Sequence, residues 1–417
     1  MAISVRRRAA LVLTLVSTLG LASACGGADE AGGTDEIVIG APLPLSGIGA
    51  AFGKPYLAAM QLTVDEINKA GGIKSLNGAR LRIKAIDDAS DATRDAQLIQ
   101  QLATEDVAAF VGPLLSATVI SSVPVINRVQ RPFVGPNLDN AVTDSGSPWM
   151  FRVSNRADAW GDQAFEWLRR TADEQKADIR RLGIVGIDVP PGTSTTDVVE
   201  KRAKDLGWET VRINYDQKTT LDFAPIVARL RDANVDLVTG YQNPNDAVLF
   251  AKAVAQQRWR PANGFVWIAG GQYLDSFQKA VGDAAERWVV ESYSPDLAKS
   301  KTPELKALAD RFQRENGQPL HGLSGAAPAV ITTLASAIEK AGSTDPAKIR
   351  DALRNLSFTS AKDAPFPYYS MAGGLKFDEK GDNTAWKGSM IQWRGGEQVT
   401  VAPAEIADGA LEWPAHG

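Results

Sequence analysis

Cysteine and histidine, which often bind metals or carry out covalent chemistry, are scarce in this chain. Among 417 residues there is one cysteine, Cys25, and there are two histidines, His321 and His416. A single cysteine excludes an intramolecular disulfide, and neither histidine has a partner at the sequence spacing of a metal site. A G-x-S-x-G elbow and a P-loop are also missing. We therefore expect no metal, no cofactor and no catalytic residues, which argues against a secreted hydrolase.

An excess of one charge is missing as well. The chain has 45 Lys and Arg residues against 49 Asp and Glu residues, a formal net charge of -4. This mild acidity argues against a nucleic-acid partner, for which a basic face is expected. Hydrophobic residues make up 44% and charged residues 23% of the chain. This composition is typical of a globular protein, and the length allows two or three domains.

The N-terminus has the layout of a secretory signal. Basic residues Arg6–Arg8 precede an apolar run over 9–21, which small residues at 22–24 follow. The apolar run is shorter than the roughly 20 residues of a membrane span, and no other run of spanning length follows it. We predict that residues 1–24 are a signal peptide and that the mature chain lies outside the cytoplasm.

The lone cysteine stands directly after the small residues, where bacterial lipoproteins carry the residue that receives diacylglycerol. Leu21 falls one place earlier than the usual lipobox leucine, so an ordinary signal peptide with an incidental Cys25 is the alternative. The following residues are small and polar and suit a flexible tether. We predict lipidation of Cys25, a tether over 25–35 and anchoring to the outer face of the membrane.

From Glu36 onward, short β-rich runs alternate with amphipathic helical stretches, which is typical of parallel sheets covered by helices. The runs predict strands at 37–41, 81–86, 108–111, 132–135, 182–187, 210–215, 237–240 and 265–269. Periodic apolar residues with capping and stop signals predict helices at 55–70, 304–316, 327–341 and 346–356. A second strand-helix series begins at Leu182, so the pattern predicts two α/β lobes.

Four motifs appear in order along the chain: PLSG at 44–47, DEINKAGGI at 65–73, a strand ending in Asp87-Asp88, and FDEKGD at 377–382. In these motifs the chain resembles the branched-chain amino-acid-binding family of periplasmic receptors, which includes the leucine/isoleucine/valine-binding protein. The resemblance spans nearly the whole mature chain. It implies the type I periplasmic-binding-protein fold, in which two doubly wound lobes joined by three crossovers clamp a ligand in the cleft between them.

By this resemblance, residues 36–157 and 295–385 form lobe one, and residues 158–294 and 386–417 form lobe two. The implied function is that of a monomeric solute-binding lipoprotein of an ABC importer. It would capture a small polar solute and deliver it to the membrane permease and its ATPase. The alternative is a ligand-sensing module that acts through a partner protein.

The resemblance places first-lobe ligand contacts on three loops. Phe52 stands where the family often has an aromatic residue beside the ligand. Ser116, followed by Ala117, matches the serine whose hydroxyl and N–H hold the ligand carboxylate. A helix beginning at Ser116 would add its positive N-terminal end, and a plain helix cap is a compatible role. After the first strand, Ser46 and the neighbouring N–H groups are expected to face the crevice.

The third loop, 135–140, departs from the family pattern. Asn137, Leu138 and Asp139 replace the small residues and threonine that the family usually shows there. The Asp139 carboxylate could accept hydrogen bonds from a ligand amine, and the Asn137 amide could donate or accept them. A solvated turn rich in Asn, Asp and Pro is the alternative.

The second lobe departs further. Pro191, in a loop after the first strand of this lobe, stands where many relatives have tyrosine, whereas the next loop keeps Tyr241. The acidic residue that pairs with the ammonium group of an amino acid falls near Gln272, where no carboxylate is present. A buried ammonium group without a partner is costly. Unless Asp139 or Asp246 takes this role, the ligand lacks an ammonium group.

The remaining ligand classes are an amide, a urea-like solute, and an aliphatic or aromatic carboxylate. An aromatic acid could stack on Phe52, Tyr241 or Tyr273. The alternative for each of these rings is simple packing of the lobes.

Overall fold

The computed structural model describes residues 36–417. The predicted signal peptide, Cys25 and the tether lie outside the described residues. The strands are β1 Glu36–Leu43, β2 Arg80–Asp87, β3 Ala109–Phe110, β4 Phe133–Gly135, β5 Met150–Arg152, β6 Arg181–Ile187, β7 Glu209–Tyr215, β8 Leu237–Tyr241, β9 Phe265–Ile268, β10 Val289–Ser292, β11 Ser357–Phe358, β12 Leu375–Lys376, β13 Ser389–Arg394 and β14 Glu397–Ala402. The helices are α1 Ala50–Lys69, α2 Ala92–Ala103, α3 Ser116–Val129, α4 Ala141–Asp144, α5 Ala157–Gln175, α6 Pro190–Asp205, α7 Ala224–Asp232, α8 Pro244–Gln256, α9 Asp275–Val281, α10 Pro303–Asn316, α11 Gly322–Ala341 and α12 Pro346–Arg354.

The first sheet is parallel and has the strand order β2-β1-β3-β4-β5. Its inner strand β1 is almost uninterrupted apolar sequence because helices cover both faces. Helices α1 and α11 pack together on one face. Helices α2 and α3 pack on the other face, where they enclose a separate cluster of buried side chains. The result is a doubly wound α/β lobe.

The second sheet has the order β14-β13-β10-β9-β8-β6-β7. Strands β6 to β10 are parallel, and the hairpin β13-β14 extends the sheet as an antiparallel edge. The C-terminal part of the chain therefore completes the second sheet, although α10, α11 and α12 before it contact α1 or one another. A separate pair, β11-β12, lies between these two parts of the sequence.

Three connections join the two sheets: after β5, between β10 and α10, and between β12 and β13. Each connection contributes one aromatic residue to a buried stack. The Trp160 ring lies 4.4 Å from that of Trp386 and 4.6 Å from that of Tyr293, measured between centroids. We call these three residues the hinge stack. The predicted α/β fold of two doubly wound lobes joined by three crossovers is confirmed.

Two local expectations were wrong. Residues Pro190–Thr193 form the first turn of α6 and not a loop, because proline at the first helical position loses no hydrogen bond. Helix α1 begins at Ala50, so that Pro55 lies inside the helix and the Ala51 carbonyl lacks the N–H that another residue at 55 would donate.

The interface between α2 and α3 contains a buried carboxyl group. Asp95 is fully buried, and its Oδ2 accepts a hydrogen bond from the Ser122 hydroxyl at 2.5 Å. Its Oδ1 has no hydrogen-bond partner among residues 36–417. Burial raises the pKa of Asp95 to about 8, so the folded protein holds this proton at neutral pH.

This proton makes stability depend on pH. The pKa of Asp95 in the folded protein lies above the unfolded value of about 3.9. The stabilising contribution of Asp95 to the free energy of unfolding is therefore fully present below about pH 4. It is lost as the pH rises through about 8, by up to about 1.4 kcal/mol per pH unit. We expect Asp95→Asn to flatten this slope and to stabilise the fold at pH 8, as measured by urea unfolding at pH 5 and pH 8. The exposed Asp106→Asn is the control, and an unchanged slope in Asp95→Asn would contradict the assignment.

Candidate ligand-binding site

The two parallel sheets share one strand order around their first strands, β2-β1-β3 and β7-β6-β8. Ligands of open α/β sheets bind at the carboxyl ends of the strands, where the chain order reverses. In this protein those points lie between β1 and β3 and between β6 and β8. The candidate site is therefore built from the loops that follow these strands and their neighbours β4 and β9.

The loop after β1 is held by the end of β2. The N–H groups of Leu45 and Ser46 both donate to Asp87 Oδ1 at 3.0 Å, and the Gly49 N–H donates to Ser90 Oγ at 3.0 Å. Hydrogen bonds from the Ser46 hydroxyl and from the N–H groups of Ala89, Ser46 and Leu45 hold the pKa of Asp87 below its usual value. The N–H groups that we expected to face the crevice are thus used within the lobe, which explains why PLSG and Asp87 occur together.

The loops after β3 and β4 are joined by two hydrogen bonds that involve three of the predicted residues. The Asp139 N–H donates to Ser116 Oγ at 3.2 Å, and Asn137 Nδ2 donates to the Leu114 carbonyl at 2.6 Å. The Asn137 Oδ1 atom is buried and has no hydrogen-bond partner within the described part of the chain. Ser116 is the first residue of α3, so the backbone N–H groups there carry the positive end of the helix.

A buried arginine that the sequence did not reveal holds the loop after β4. The Arg152 guanidinium donates to the carbonyls of Asn137, Leu138 and Asp139 at 2.7, 2.8 and 2.9 Å. Its Nε lies 2.7 Å from Oδ1 of Asp382, the last residue of the FDEKGD motif. Both side chains are almost inaccessible to solvent. The only local signal of this role was an arginine at the end of the apolar strand β5. An arginine that is buried is expected to have a charged or polar partner.

Three other predicted residues occupy different settings. The side chain of Leu138 belongs to the main core, and Ala117 is exposed at the start of α3. Phe52 is half-buried and lines a groove of about 290 Å³ together with Leu274 and Pro319. The groove brings α1 of the first lobe next to the segment before α9 in the second.

In the second lobe, Gln272 and Gln242 face each other in a fully buried position. Gln272 Nε2 donates to Gln242 Oε1 at 2.8 Å, and the Gln272 carbonyl accepts from Trp393 Nε1 at 2.7 Å. Gln272 Oε1 and Gln242 Nε2 have no partner among residues 36–417. One buried acceptor and one buried donor are therefore available, and such groups cost free energy unless something binds them.

Four tyrosines meet near the same loops. Tyr56 lies in α1, Tyr241 ends β8, Tyr273 follows Gln272, and Tyr293 follows β10; the rings of Tyr273 and Tyr293 are 6.3 Å apart. Burial raises the pKa of each, that of Tyr241 to about 12. All four hydroxyls are therefore neutral at pH 7 and can donate hydrogen bonds. The sequence singled out Tyr241 and Tyr273, but nothing in it distinguishes Tyr56 and Tyr293 from core aromatics.

Residues 36–396 match the family model described as periplasmic binding protein. The chain belongs to this family. The Leu/Ile/Val-binding protein homolog 7 of Brucella melitensis biotype 1 is 26% identical over 390 residues, which cover 91% of this chain and 94% of the relative. Members of the family are substrate-binding proteins of transporters, not enzymes, and act outside the cytoplasm. In the described part of this chain, no helix has the length and hydrophobicity needed to cross a bilayer.

Solved structures of the same fold include two with different ligands. LivJ of Streptococcus pneumoniae in complex with isoleucine has a TM-score of 0.70 at 19% identity, covering 87% of this chain and 97% of that one. A solute-binding protein of Rhodopseudomonas palustris BisB5 in complex with 3,4-dihydroxybenzoic acid has a TM-score of 0.71 at 19% identity, covering 87% of this chain and 95% of that one. These matches confirm the type I fold that the sequence motifs implied.

Asp139 and Asp246 are the two carboxylates that could replace the acidic residue with which the family pairs an ammonium group. Both have other contacts. Asp246 accepts a hydrogen bond from the Tyr215 hydroxyl at 3.0 Å, and burial raises its pKa. Asp139 Oδ1 accepts from the Ala141 N–H at 2.9 Å at the start of α4. Each carboxylate thus already has a structural contact within its own lobe.

Proposed function

We propose that this chain is the solute-binding lipoprotein of an ABC importer, which captures a small solute between its lobes and delivers it to the permease and its ATPase. The family membership and the two-lobed fold support this proposal. The proposed lobes are 36–157 with 295–385, and 158–294 with 386–417. Lipidation of Cys25 and a monomeric state are parts of the same proposal.

The ligand that we propose is a small carboxylate or amide without an α-ammonium group. The observation that carries this choice is the neutral, buried pair Gln242 and Gln272, since the resemblance puts the acidic residue of the family near Gln272. An ammonium group buried there without a counter-charge would cost several kcal/mol. Gln242 Nε2 and the tyrosine hydroxyls can instead donate hydrogen bonds to a carboxylate or amide oxygen, and Gln272 Oε1 can accept one from an amide N–H. Isoleucine and 3,4-dihydroxybenzoic acid in proteins of this fold show that it accommodates ligands with and without an ammonium group.

Thermal unfolding with matched pairs of compounds tests this choice. Leucine is compared with 4-methylpentanoate, and phenylalanine with 3-phenylpropanoate, so that each pair differs only in the ammonium group. We expect the compound without ammonium to raise the midpoint in at least one pair, because binding stabilises the folded state in proportion to ligand excess over Kd. A midpoint that rises with leucine and not with 4-methylpentanoate would exclude the proposed ligand class.

A negative charge introduced at position 272 provides a second test. We expect Gln272→Glu to weaken binding of the identified carboxylate at pH 7 by about tenfold or more, roughly 1.4 kcal/mol, because two anions would share a buried site. Isothermal titration calorimetry measures the change, with Gln313→Glu on the exposed face of α10 as the control. Unchanged affinity in Gln272→Glu would place the ligand elsewhere.

A further inference from the structure

A cavity of about 500 Å³ lies next to two of the three connections between the lobes. Its walls are residues 295–305 after β10, the loop 359–373 between β11 and β12, Lys387 before β13, and residues 400–406 at the end of β14. It shares no residue with the candidate ligand-binding site. We call it the hinge cavity.

One wall of the hinge cavity is apolar, and hydroxyl side chains such as Ser370 and Thr400 line another part of it. Leu297, Leu305, Tyr369 and Met371 form the apolar wall, and each is at most 5% exposed. The Tyr369 hydroxyl already donates to the Gly374 carbonyl at 2.6 Å, so it is not free to bind an occupant. The volume falls within the range of about 300–1,000 Å³ that is usual for sites of small organic ligands.

Four lysines line the same cavity, and two of them have acidic partners. Lys387 pairs with Glu405 at 2.9 Å, and Lys299 pairs with Asp408 at 3.3 Å. The other lining carboxylate, Asp296, accepts from the Ala298 N–H at 3.0 Å and caps a short helical turn.

The remaining two lysines form no salt bridge among the described residues. The Lys301 ammonium reaches the backbone carbonyl of Glu405, at 3.1 Å. The Lys362 ammonium makes no hydrogen bond within residues 36–417, and the nearest carboxylate that interacts with its charge is that of the adjacent Asp363. Both side chains belong to exposed residues, so an anion can approach them from solvent. Lysine ammonium groups form strong hydrogen bonds with carboxylates.

We infer that the hinge cavity is a second binding site, for an amphipathic anion made of a hydrocarbon chain or ring that ends in a carboxylate. The hydrocarbon lies against Leu297, Leu305 and Met371, and the carboxylate lies among Lys301 and Lys362. The apolar wall favours an occupant with a hydrocarbon part, and the lysine ammonium groups favour an anion over an amine. This inference does not depend on the ligand proposed for the candidate site.

Calorimetric titration of the protein with decanoate tests the inference. We expect decanoate to bind the unchanged protein and to bind at least tenfold more weakly to two variants. Lys301→Glu/Lys362→Glu reverses the charge at the cavity, and Met371→Trp fills its interior. Lys252→Glu/Lys348→Glu makes the same charge change at exposed residues elsewhere and should retain the affinity.

The Gln272→Glu variant distinguishes binding of decanoate at the candidate site from binding at the hinge cavity. If decanoate binding weakens only in Gln272→Glu, the probe occupies the candidate site, which overturns the hinge-cavity inference and leaves the proposed function standing. The inference is also overturned if decanoate does not bind, or if both cavity variants bind it normally. Circular dichroism checks the fold of each variant, and if Met371→Trp does not fold, the lysine variant alone decides.

Discussion

Replacement of Asp382 by alanine is expected to lower the free energy of unfolding by about 3–5 kcal/mol. The substitution leaves the buried Arg152 guanidinium without its counter-charge, and it removes the acceptor for the Thr143 hydroxyl, which donates to Asp382 at 2.9 Å. Because Arg152 also holds three successive carbonyls of the loop after β4, ligand affinity should fall together with stability. Urea unfolding and calorimetric titration measure the two effects.

The same turn provides the matched control. Glu379 belongs to the FDEKGD motif, is exposed, and forms no side-chain ion pair within residues 36–417. Glu379→Gln should change stability by less than about 0.5 kcal/mol, as surface substitutions usually do. If Asp382→Ala is no more destabilising than Glu379→Gln, the ion pair does not support the loop.

The second large effect is expected at the hinge stack. Trp160→Ala should lower the free energy of unfolding by about 3–5 kcal/mol, because a fully buried ring is lost and the structure collapses only in part around the gap. The stack joins all three connections, so the lobes should also close less firmly around a ligand. Urea unfolding gives the first quantity, and the ligand dissociation rate gives the second.

A substitution of Trp167, two turns further along α5, distinguishes general damage to the helix from loss of the hinge stack. Trp167 is half-buried and lies outside the hinge stack. Trp167→Ala should cost markedly less stability and leave ligand dissociation unchanged. Equal effects of the two substitutions would mean that the stack has no special part in holding the lobes.

The order of strands and helices could be predicted because each element carries its own periodic signal. β1 and β6 are apolar runs, and α2 begins after Asp91, whose side chain accepts from the Arg94 N–H at 2.7 Å. Strand β10 was missed because its polar residues Glu291 and Ser292 interrupt the apolar run. β14 was missed because it is a half-buried edge strand.

The site was less predictable because its contacts join distant parts of the sequence. Arg152 and Asp382 meet only in the folded chain, so neither residue shows its role locally. Ser46 was expected to serve a ligand because the sequence does not show that Asp87 binds its N–H. The roles of Ser116, Asn137 and Gln272 toward a ligand stay predictions, although the structure sets all three at the carboxyl ends of the parallel strands.

The pairing of Arg152 with Asp382 has a consequence for how the protein is made. Chains grow from the N-terminus at about 5–20 residues per second. The partner of Arg152 is therefore synthesised on the order of tens of seconds after Arg152 itself. During this interval the first lobe contains an arginine that cannot be buried without its counter-charge. The loop after β4 can therefore reach its final form only when almost the whole chain has been made.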